Sequence, residues 1–181
     1  MRAVCFYPMS EITRKEWALY PGTFDPITLG HVDLVERIVS VFQGVVVLIA
    51  HSEKKKPLFS VEERLKMVEN CFKGRLNIKV ESSRELLAHF AQRCGIRVIV
   101  RGLRAVSDFE YEFQMATINR RMMGELETFF LMASEKYFFV NSTVVKEVLA
   151  HGGNVSQFVP SQVEQKLKEK LCGNLQNERK V

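Results

Sequence analysis

Short apolar runs alternate with longer amphipathic segments along most of the chain. Five runs are rich in β-branched or aromatic residues, which is typical of strands, and they span residues 17–20, 45–52, 76–82, 96–102 and 127–133. Between them, apolar residues recur three and four positions apart, which predicts helices over residues 31–42, 60–72, 83–94 and 108–123. Two further helical patterns follow at 143–151 and 161–171. Two of the predicted helices open with the spacing of a capping box, Ser60 with Glu63 and Ser107 with Glu110.

The alternation of strand and helix predicts the fold class. Strands that are apolar along nearly their whole length are typical of a parallel sheet covered by helices on both faces. We therefore predict a single doubly wound, Rossmann-like α/β domain with a five-stranded parallel sheet and C-terminal helices. We expect this domain to span residues 18–171, with residues 1–17 as an N-terminal extension and residues 172–181 as a C-terminal tail.

Composition and charge narrow the classes of function. The 181 residues are 46% hydrophobic and 26% charged, as in globular proteins, and no apolar run approaches the ~18 residues of a membrane span. Because the N-terminus lacks the apolar core of a secretory signal, we expect a cytoplasmic protein without a membrane partner. The four cysteines are far apart, so we expect neither a disulfide framework nor a metal site. Basic residues give a net charge of +5 but are interspersed with acidic ones. A small anionic ligand explains that charge as well as a nucleic acid does, and we expect no nucleic-acid partner.

The segment YPGTFDPITLGH, from Tyr20 to His31, joins the first predicted strand to the first predicted helix. In a doubly wound sheet, ligands bind outside the carboxyl ends of the strands, where the strand order reverses. Gly22 permits a close turn, Thr23 offers a hydroxyl and an amide, and His31 falls at the start of a helix. Because a helix N-terminus favours an anion, the segment predicts a phosphate site to which His31 can donate a ring N–H. The alternative is a turn followed by a surface histidine.

Two other segments have the composition of anion sites. The fourth predicted strand runs into RGLRAVSDFEYE, which places Arg101 and Arg104 at a carboxyl end. A guanidinium group matches phosphate oxygens in a bidentate way, so this pair predicts phosphate recognition. In YFFVNSTVVKEV, Ser142 and Thr143 open a predicted helix, where hydroxyls and free amides would form a second anion site. Plain capping of that helix is the alternative.

These motifs together resemble a known family. GTFDPITLGH resembles the (T/H)xGH signature of the nucleotidyltransferase superfamily, and RGLRAVSDFEYE resembles the more specific stretch of bacterial phosphopantetheine adenylyltransferases. The resemblance extends from about Ala18 to about Leu171. It implies transfer of the adenylyl group of ATP to 4′-phosphopantetheine, which gives dephospho-coenzyme A and pyrophosphate. It also implies a homohexamer.

The resemblance implies roles for particular residues. Those implied to be catalytic are His31, Lys55 and Arg104. Those implied to bind ATP are Thr23, Phe24, His31, Gly102, Leu103, Arg104, Glu112, Tyr137, Phe138, Phe139, Val140, Asn141, Ser142 and Thr143. Those implied to bind phosphopantetheine are Thr23, Lys55, Leu86, Leu87 and Arg101. Asn141 stands where the family commonly has a serine and is bulkier, so we expect its contact to differ in detail.

Several of these residues have plainer explanations. The basic run at 54–56 can be an ordinary solvated loop, Leu86 and Leu87 can belong to a core, and Glu112 can be an acid on a helix surface. The function also has alternatives. One is another adenylyl- or cytidylyltransferase that uses a different acceptor, and the other is a non-catalytic module that binds nucleotides or nucleic acid.

The expected mechanism needs no general base. No Ser-His-Asp set or carboxylate pair stands out, and a phosphate monoester with a second pKa of about 6 is already largely dianionic at pH 7. Catalysis would then rest on positioning and charge neutralisation, with His31, Lys55 and Arg104 around the α-phosphoryl group. We expect Mg²⁺ as a cofactor that is bound largely through pyrophosphate oxygens.

Overall fold

A computed structural model of the chain describes residues 17–51, 56–104 and 106–178. Within this part, the strands are β1 (Trp17–Gly22), β2 (Gly44–Ala50), β3 (Ile78–Ser83), β4 (Val98–Leu103) and β5 (Glu127–Met132). The α-helices are α1 (Leu29–Val41), α2 (Val61–Cys71), α3 (Leu87–Arg93), α4 (Val106–Met122), α5 (Ser142–Ala150) and α6 (Ser161–Glu178). A short 3₁₀ turn, Glu135–Tyr137, precedes α5. Residues 1–16 of the predicted extension, and Lys55, lie outside the described residues.

The strands form one parallel sheet in the order β3-β2-β1-β4-β5. The chain builds outward from β1 to β3 and then crosses back to place β4 on the other side of β1. The strand order therefore reverses between β1 and β4, which is where ligand sites form in doubly wound folds. The predicted doubly wound α/β fold with a five-stranded parallel sheet and C-terminal helices is confirmed.

Side chains of β2 alternate between two apolar cores, because successive residues of a strand point to opposite faces of a sheet. Val45, Val47 and Ile49 belong to the larger core, which α1, α2, α5 and α6 complete. Val46 and Leu48 belong to the smaller core with α3. All five side chains are buried, so the continuous apolar run reflects a strand that is covered on both faces.

Helix boundaries agree with the sequence patterns at some positions and not at others. The capping box at Ser60 and Glu63 is confirmed, since the Glu63 N–H donates to the Ser60 hydroxyl and the Ser60 N–H donates to the Glu63 carboxylate. The capping box predicted at Ser107 and Glu110 is wrong. Helix α4 already begins at Val106, and a residue inside a helix cannot supply the non-helical N-cap conformation.

Helices α3 and α6 also differ in length from the predictions. Helix α3 begins at Leu87 rather than near Ser83, because Ser83 is still paired with Ala50 in the sheet. Helix α6 continues through Glu178, beyond the predicted end at Leu171. In the described part of the chain, no helix combines the length and the apolarity of a membrane span.

Candidate active site

The three predicted anion motifs meet at one cavity. A cavity of about 690 Å³, called here the first cavity, opens at the carboxyl ends of β1 and β4. The β1–α1 loop, the first turn of α1, the end of β4, α4 and the start of α5 form its wall. The predicted site residues that line it are Thr23, Phe24, His31, Arg101, Gly102, Arg104, Glu112, Tyr137, Val140, Asn141, Ser142 and Thr143. Segments that are distant in the sequence thus form a single site.

A second cavity, of about 460 Å³, adjoins the first. It is lined by Leu87 from α3, by Met115 and Asn119 from α4, and by Ile99 and Thr128 from the sheet. The residues that line both cavities are Pro21, Gly22, Thr23, Arg101, Arg104, Tyr111 and Glu112. The two cavities therefore meet where β1 and β4 end, and a ligand in one can touch a ligand in the other there.

Some predicted residues lie away from both cavities. Leu103 is buried and Phe139 is largely exposed. Neither of them lines a cavity, and Phe138 does not line one either. Leu86 is the N-cap residue of α3, is more than half exposed and lines neither cavity, whereas Leu87 lines the second. Lys55 lies outside the described residues, so its predicted role stays a prediction.

The β1–α1 loop places the ring of Phe24 beneath His31. Phe24 has a φ of 47°, in the left-handed region that non-glycine residues rarely adopt. Its buried ring contacts Tyr20 and His31 edge to face, with ring centroids 5.6 Å and 5.1 Å apart respectively. A Cβ atom on Gly22 would lie 2.8 Å from the Phe24 ring, so any side chain at this position would displace the ring. The loop thus uses Phe24 to support the imidazole of His31.

His31 completes a capping box with Thr28 at the start of α1. The Thr28 N–H donates to Nδ1 of His31 at 3.0 Å, and the His31 N–H donates to the Thr28 hydroxyl at 3.4 Å. Because a backbone N–H can only donate, Nδ1 is the acceptor, and this assigns the proton of the neutral ring to Nε2. The imidazole, which lines the first cavity, therefore presents one N–H donor of fixed identity.

The imidazole of His31 is neutral at pH 7. Burial lowers its pKa to about 4, and the positive charges of Arg104 and Arg101 act in the same direction. A neutral ring can donate a hydrogen bond to a phosphoryl oxygen but brings no positive charge of its own. The positive charge near the His31 ring comes from Arg101 and Arg104.

Arg101 stands where the two cavities meet and is held by three hydrogen bonds. Its Nε and Nη2 atoms donate to the two carboxylate oxygens of Glu112 at 2.7 and 2.5 Å, and Nη1 donates to the Pro21 carbonyl at 2.5 Å. Burial lowers the pKa of Arg101, but the hydrogen bonds and charge of Glu112 more than offset this, so its pKa is raised.

The next residue, Gly102, lets α1 pack closely, since a Cβ there would lie 2.4 Å from the Leu34 side chain.

Helix α5 begins at Ser142 with Asn141 as its N-cap residue. The Asn141 side chain accepts a hydrogen bond from the Val144 N–H at 2.8 Å, as a serine could in that position. The Ser142 hydroxyl donates to the Pro26 carbonyl at 2.8 Å, which ties α5 to the β1–α1 loop. The helix is capped, and its first turn lines the first cavity. Its role as an anion site stays a prediction.

Sequence patterns did not identify several residues that shape the site. Thr28 could have been found, because it has capping-box spacing to His31, although histidine replaces the usual Glu or Gln. Arg64 gave no signal within its amphipathic helix. Its buried guanidinium donates to the Thr23 carbonyl at 2.7 Å and to the carbonyls of Phe59 and Ser60, and burial lowers its pKa. It thereby fixes the backbone at Thr23.

Two unpredicted polar side chains line the second cavity. Thr128 Oγ1 is buried and has no hydrogen-bond partner among the residues that the structure describes. Asn119 of α4 is also buried. Buried polar groups are normally hydrogen-bonded, so the Thr128 hydroxyl is suited to a ligand that carries polar groups. In residues 17–51, 56–104 and 106–178, no group of three or more His, Cys, Asp or Glu side chains is placed to hold a metal ion.

The chain is similar to a family of known proteins along most of its length. Residues 19–170 match the model of the cytidylyltransferase-like family. Proteins named phosphopantetheine adenylyltransferase are similar over most of their length. The one from Thermotoga neapolitana is 51% identical over 154 residues, which cover 85% of this chain and 96% of that protein. The one from Desulfotalea psychrophila is 48% identical over 164 residues, with 89% and 96% covered. The one from Herminiimonas arsenicoxydans is 51% identical over 159 residues, with 88% and 98% covered.

A solved structure shares the fold. A candidate nicotinate-nucleotide adenylyltransferase from Vibrio parahaemolyticus superposes with a TM-score of 0.59 at 18% identity, covering 84% of this chain and 98% of that one. At that identity the likeness concerns the fold alone. The matches in sequence and fold place the chain in a class of nucleotide-transferring α/β proteins. The chain belongs to the cytidylyltransferase-like family and, within it, to the phosphopantetheine adenylyltransferases.

Proposed function

We propose that this protein transfers the adenylyl group of ATP to the phosphate of 4′-phosphopantetheine, giving dephospho-coenzyme A and pyrophosphate. The observation that carries the proposal is the junction of the two cavities at Thr23 and Arg101, with the His31 ring on the wall of the first. A two-substrate transfer needs two sites whose reacting ends meet, and this arrangement supplies them. Relatives about half identical to this chain bear the name of that activity.

The two cavities suit different substrates. In our proposal the nucleotide occupies the first cavity, between the start of α1 and the start of α5, where two helix N-termini favour phosphates. The pantetheine arm occupies the second, against Leu87 and Met115, with Asn119 and Thr128 available to its amide groups. This orientation brings the phosphate of the arm to the junction, beside the hydroxyl and amide of Thr23.

The attacking phosphate acts without a protein base. His31 is unsuited to that role, because Nε2 already carries a proton and Nδ1 already accepts the Thr28 N–H. The dianionic phosphate attacks the α-phosphorus directly, the bond to pyrophosphate breaks, and no proton has to move. His31 donates its Nε2–H to the α-phosphoryl oxygen that gains charge, while Arg104 lines the junction with its fixed positive charge. Lys55 completes the set in our proposal, as the family resemblance implies.

Magnesium would enter this site with the nucleotide. The carboxylates that line the first cavity are Asp25 and Glu112, and each is already paired, Asp25 with Lys146 and Glu112 with Arg101. The donor set therefore suits Mg²⁺ that is held mainly by the phosphate oxygens of ATP, since this ion keeps several non-protein ligands. When bound, it would neutralise charge on the departing pyrophosphate.

A coupled pyrophosphate assay tests the proposed function. With ATP and Mg²⁺, we expect 4′-phosphopantetheine to yield pyrophosphate and dephospho-coenzyme A. We expect unphosphorylated pantetheine to yield none, because its hydroxyl would need a base, and Glu112, the carboxylate among the described junction residues, is paired with Arg101. Nicotinate mononucleotide serves as the control acceptor for other adenylyltransferases. Turnover of pantetheine at the rate of phosphopantetheine would contradict the mechanism, and turnover of nicotinate mononucleotide alone would contradict the choice of acceptor.

We further propose that the chain forms the homohexamer implied by the family resemblance. Support comes from exposed apolar side chains on α4 and on the edge strand β5, which together we call the α4–β5 region. Its exposed apolar side chains are Phe109, Tyr111, Phe113, Ile118, Met122, Phe129 and Met132. Large apolar side chains exposed in this number commonly mark protein interfaces. The cytoplasmic location expected from the sequence stays a prediction.

Charge on the α4–β5 region should break the assembly. We expect Phe113→Glu to sediment as a smaller species than the wild-type protein, because an interface cannot bury an unpaired carboxylate without a large cost. The matched control is Leu76→Glu, at a side chain that is 95% exposed and precedes β3, the strand at the opposite edge of the sheet. Sedimentation velocity should give the control the wild-type mass. A wild-type protein that sediments at the monomer mass of 20.9 kDa would contradict the proposal.

A further inference from the structure

The carboxylate of Asp25 joins three separate segments of the chain. Oδ1 accepts the Phe59 N–H at 2.9 Å, and Oδ2 accepts the Leu58 N–H at 3.0 Å. The Lys146 ammonium of α5 donates to the same Oδ2 at 2.6 Å. Asp25 itself belongs to the β1–α1 loop. One side chain therefore links that loop to the segment before α2 and to α5.

Asp25 is buried in its charged form. The side chain is 7% exposed, and Lys146 beside it is 26% exposed. Burial raises the pKa of Asp25, but the hydrogen bonds from Lys146 and the two backbone amides more than offset this, so its pKa is lowered. Both oxygens already accept hydrogen bonds from protein donors. The carboxylate is consequently engaged in holding the protein and is not disposed to bind substrate.

Two of the three segments that Asp25 joins, the β1–α1 loop and α5, form parts of the wall of the first cavity. Thr23 precedes Asp25 in the loop and His31 follows it at the start of α1, and both line the cavity. The start of α5 lies on the same cavity, and the Ser142–Pro26 hydrogen bond ties it to the loop a second time. A change at Asp25 would therefore move groups on two sides of the cavity relative to each other.

We propose that Asp25 is a positioning residue for adenylyl transfer, which acts by fixing the β1–α1 loop against α5 and the segment at residues 58–59. The inference rests on the function proposed above. Asp25 contacts no reacting atom in this role. It holds the imidazole of His31 and the hydroxyl of Thr23 at fixed positions relative to the start of α5. Misplacing such groups by about 1 Å can lower a rate by as much as ~10²-fold.

The variant Asp25→Asn tests the proposal without a change of size. The amide has nearly the same shape, but it loses the charge that holds Lys146 and one of the acceptors of the backbone amides. We expect kcat to fall on the order of ten- to a hundred-fold, with the KM for ATP changed by less than about threefold. We expect Lys146→Met to lower kcat as well. The double variant should be no more impaired than the less active of the two single variants, because Lys146 acts through its contact with Asp25.

The matched control is Asp33→Asn. Asp33 lies on α1, accepts a hydrogen bond from Ser134 at 2.6 Å and pairs with Arg37, but it lines neither cavity. This variant removes the same charge near the same loop and should keep the wild-type kcat. Hydrogen–deuterium exchange gives a second readout that is independent of activity. The amides of Leu58 and Phe59 should exchange faster in Asp25→Asn and at the wild-type rate in Asp33→Asn.

The outcomes separate this inference from the proposed function. A wild-type protein that makes no pyrophosphate from ATP and phosphopantetheine would overturn the proposed function, and the inference would fall with it. An active wild-type protein with an equally active Asp25→Asn would overturn the inference alone. Losses that multiply in the double variant would also overturn it, since Asp25 and Lys146 would then act independently. A lower melting temperature with unchanged kcat would reduce Asp25 to a purely structural residue.

Discussion

Replacing His31 by alanine is expected to lower kcat on the order of 10²- to 10³-fold, or ~3 to 4 kcal/mol, with a much smaller change in the KM for ATP. In the proposed mechanism the Nε2–H of His31 meets an oxygen whose charge grows only as the α-phosphoryl group is attacked. Because that interaction is stronger in the transition state than in the ground state, its loss appears in kcat. Steady-state kinetics, with calorimetric titration of ATP to confirm binding, provide the measurement.

A second variant at the same position separates catalysis from helix capping. The His31 ring also accepts the Thr28 N–H, so alanine removes a cap that is typically worth ~1 kcal/mol. Glutamine is a usual residue at this position of a capping box and keeps an oxygen for that N–H. We therefore expect His31→Ala to lower both kcat and the melting temperature, and His31→Gln to lower kcat while retaining stability. Wild-type kcat in His31→Ala would make His31 a capping residue only.

The protonation state of His31 predicts the pH dependence. Its pKa is about 4 in the folded protein and 6.5 in the unfolded chain. Between these two pH values the histidine is protonated in the unfolded chain and neutral in the folded protein. His31 therefore contributes stability that is present above pH 6.5 and is lost as the pH falls toward 4. Catalysis by the neutral ring also predicts that kcat does not decline as the pH rises from 6.5 to 8. A decline through that range, absent in His31→Gln, would indicate a cationic imidazole instead.

The fold could be predicted from the sequence because its signals are local. The run of β2 is apolar at successive positions since Val45 and Val47 face one core while Val46 and Leu48 face the other. That feature distinguishes a sheet covered on both faces from one with a solvated face. Boundaries were less accurate where a pattern crosses two elements. The helical periodicity that begins near Ser83 overlaps the end of β3, and pairing in the sheet decides the assignment of that residue.

The sequence predicted many of the residues that line the candidate site, but it did not predict which of them contact each other. The motifs named Arg101 and Glu112 as separate ligand contacts, whereas the structure pairs them and adds the Pro21 carbonyl. That last contact exists because β4 lies beside β1, which is a property of the sheet order rather than of any spacing. The same holds for the low pKa of His31. It depends on burial and on two arginines that come from another strand end, so the sequence could indicate the histidine but not its charge.

Replacing Arg101 by methionine is expected to lower kcat/KM for phosphopantetheine on the order of 10²-fold and to destabilise the protein. In the proposed function, the phosphate of the pantetheine arm binds at the junction beside Arg101. The substitution removes the positive charge that would bind this phosphate. The change also leaves the Glu112 carboxylate, whose side chain is only 13% exposed, without its ion-pair partner. Breaking a fully buried pair typically costs ~3 to 5 kcal/mol, and because this pair is partly buried we expect a smaller loss that a melting curve would still register.

The surface pair of Arg93 and Glu85 provides a matched control. Arg93 donates from Nε and Nη2 to the two carboxylate oxygens of Glu85, as Arg101 does to Glu112, but both side chains are exposed and the arginine lines neither cavity. Exposed pairs contribute little to stability. We expect Arg93→Met to keep the wild-type melting temperature and the wild-type kcat/KM.

A double variant separates the two effects that Arg101→Met combines. In Arg101→Met with Glu112→Leu, no carboxylate is left unpaired, so much of the lost stability should return. Activity should not return, because the junction still lacks its guanidinium. The variant Arg101→Lys should also remain impaired, since one ammonium cannot reproduce two parallel hydrogen bonds to Glu112 together with the bond to Pro21. If the double variant recovered kcat/KM along with its melting temperature, Arg101 would serve the fold alone, and the phosphate of the arm would have to be bound by other residues.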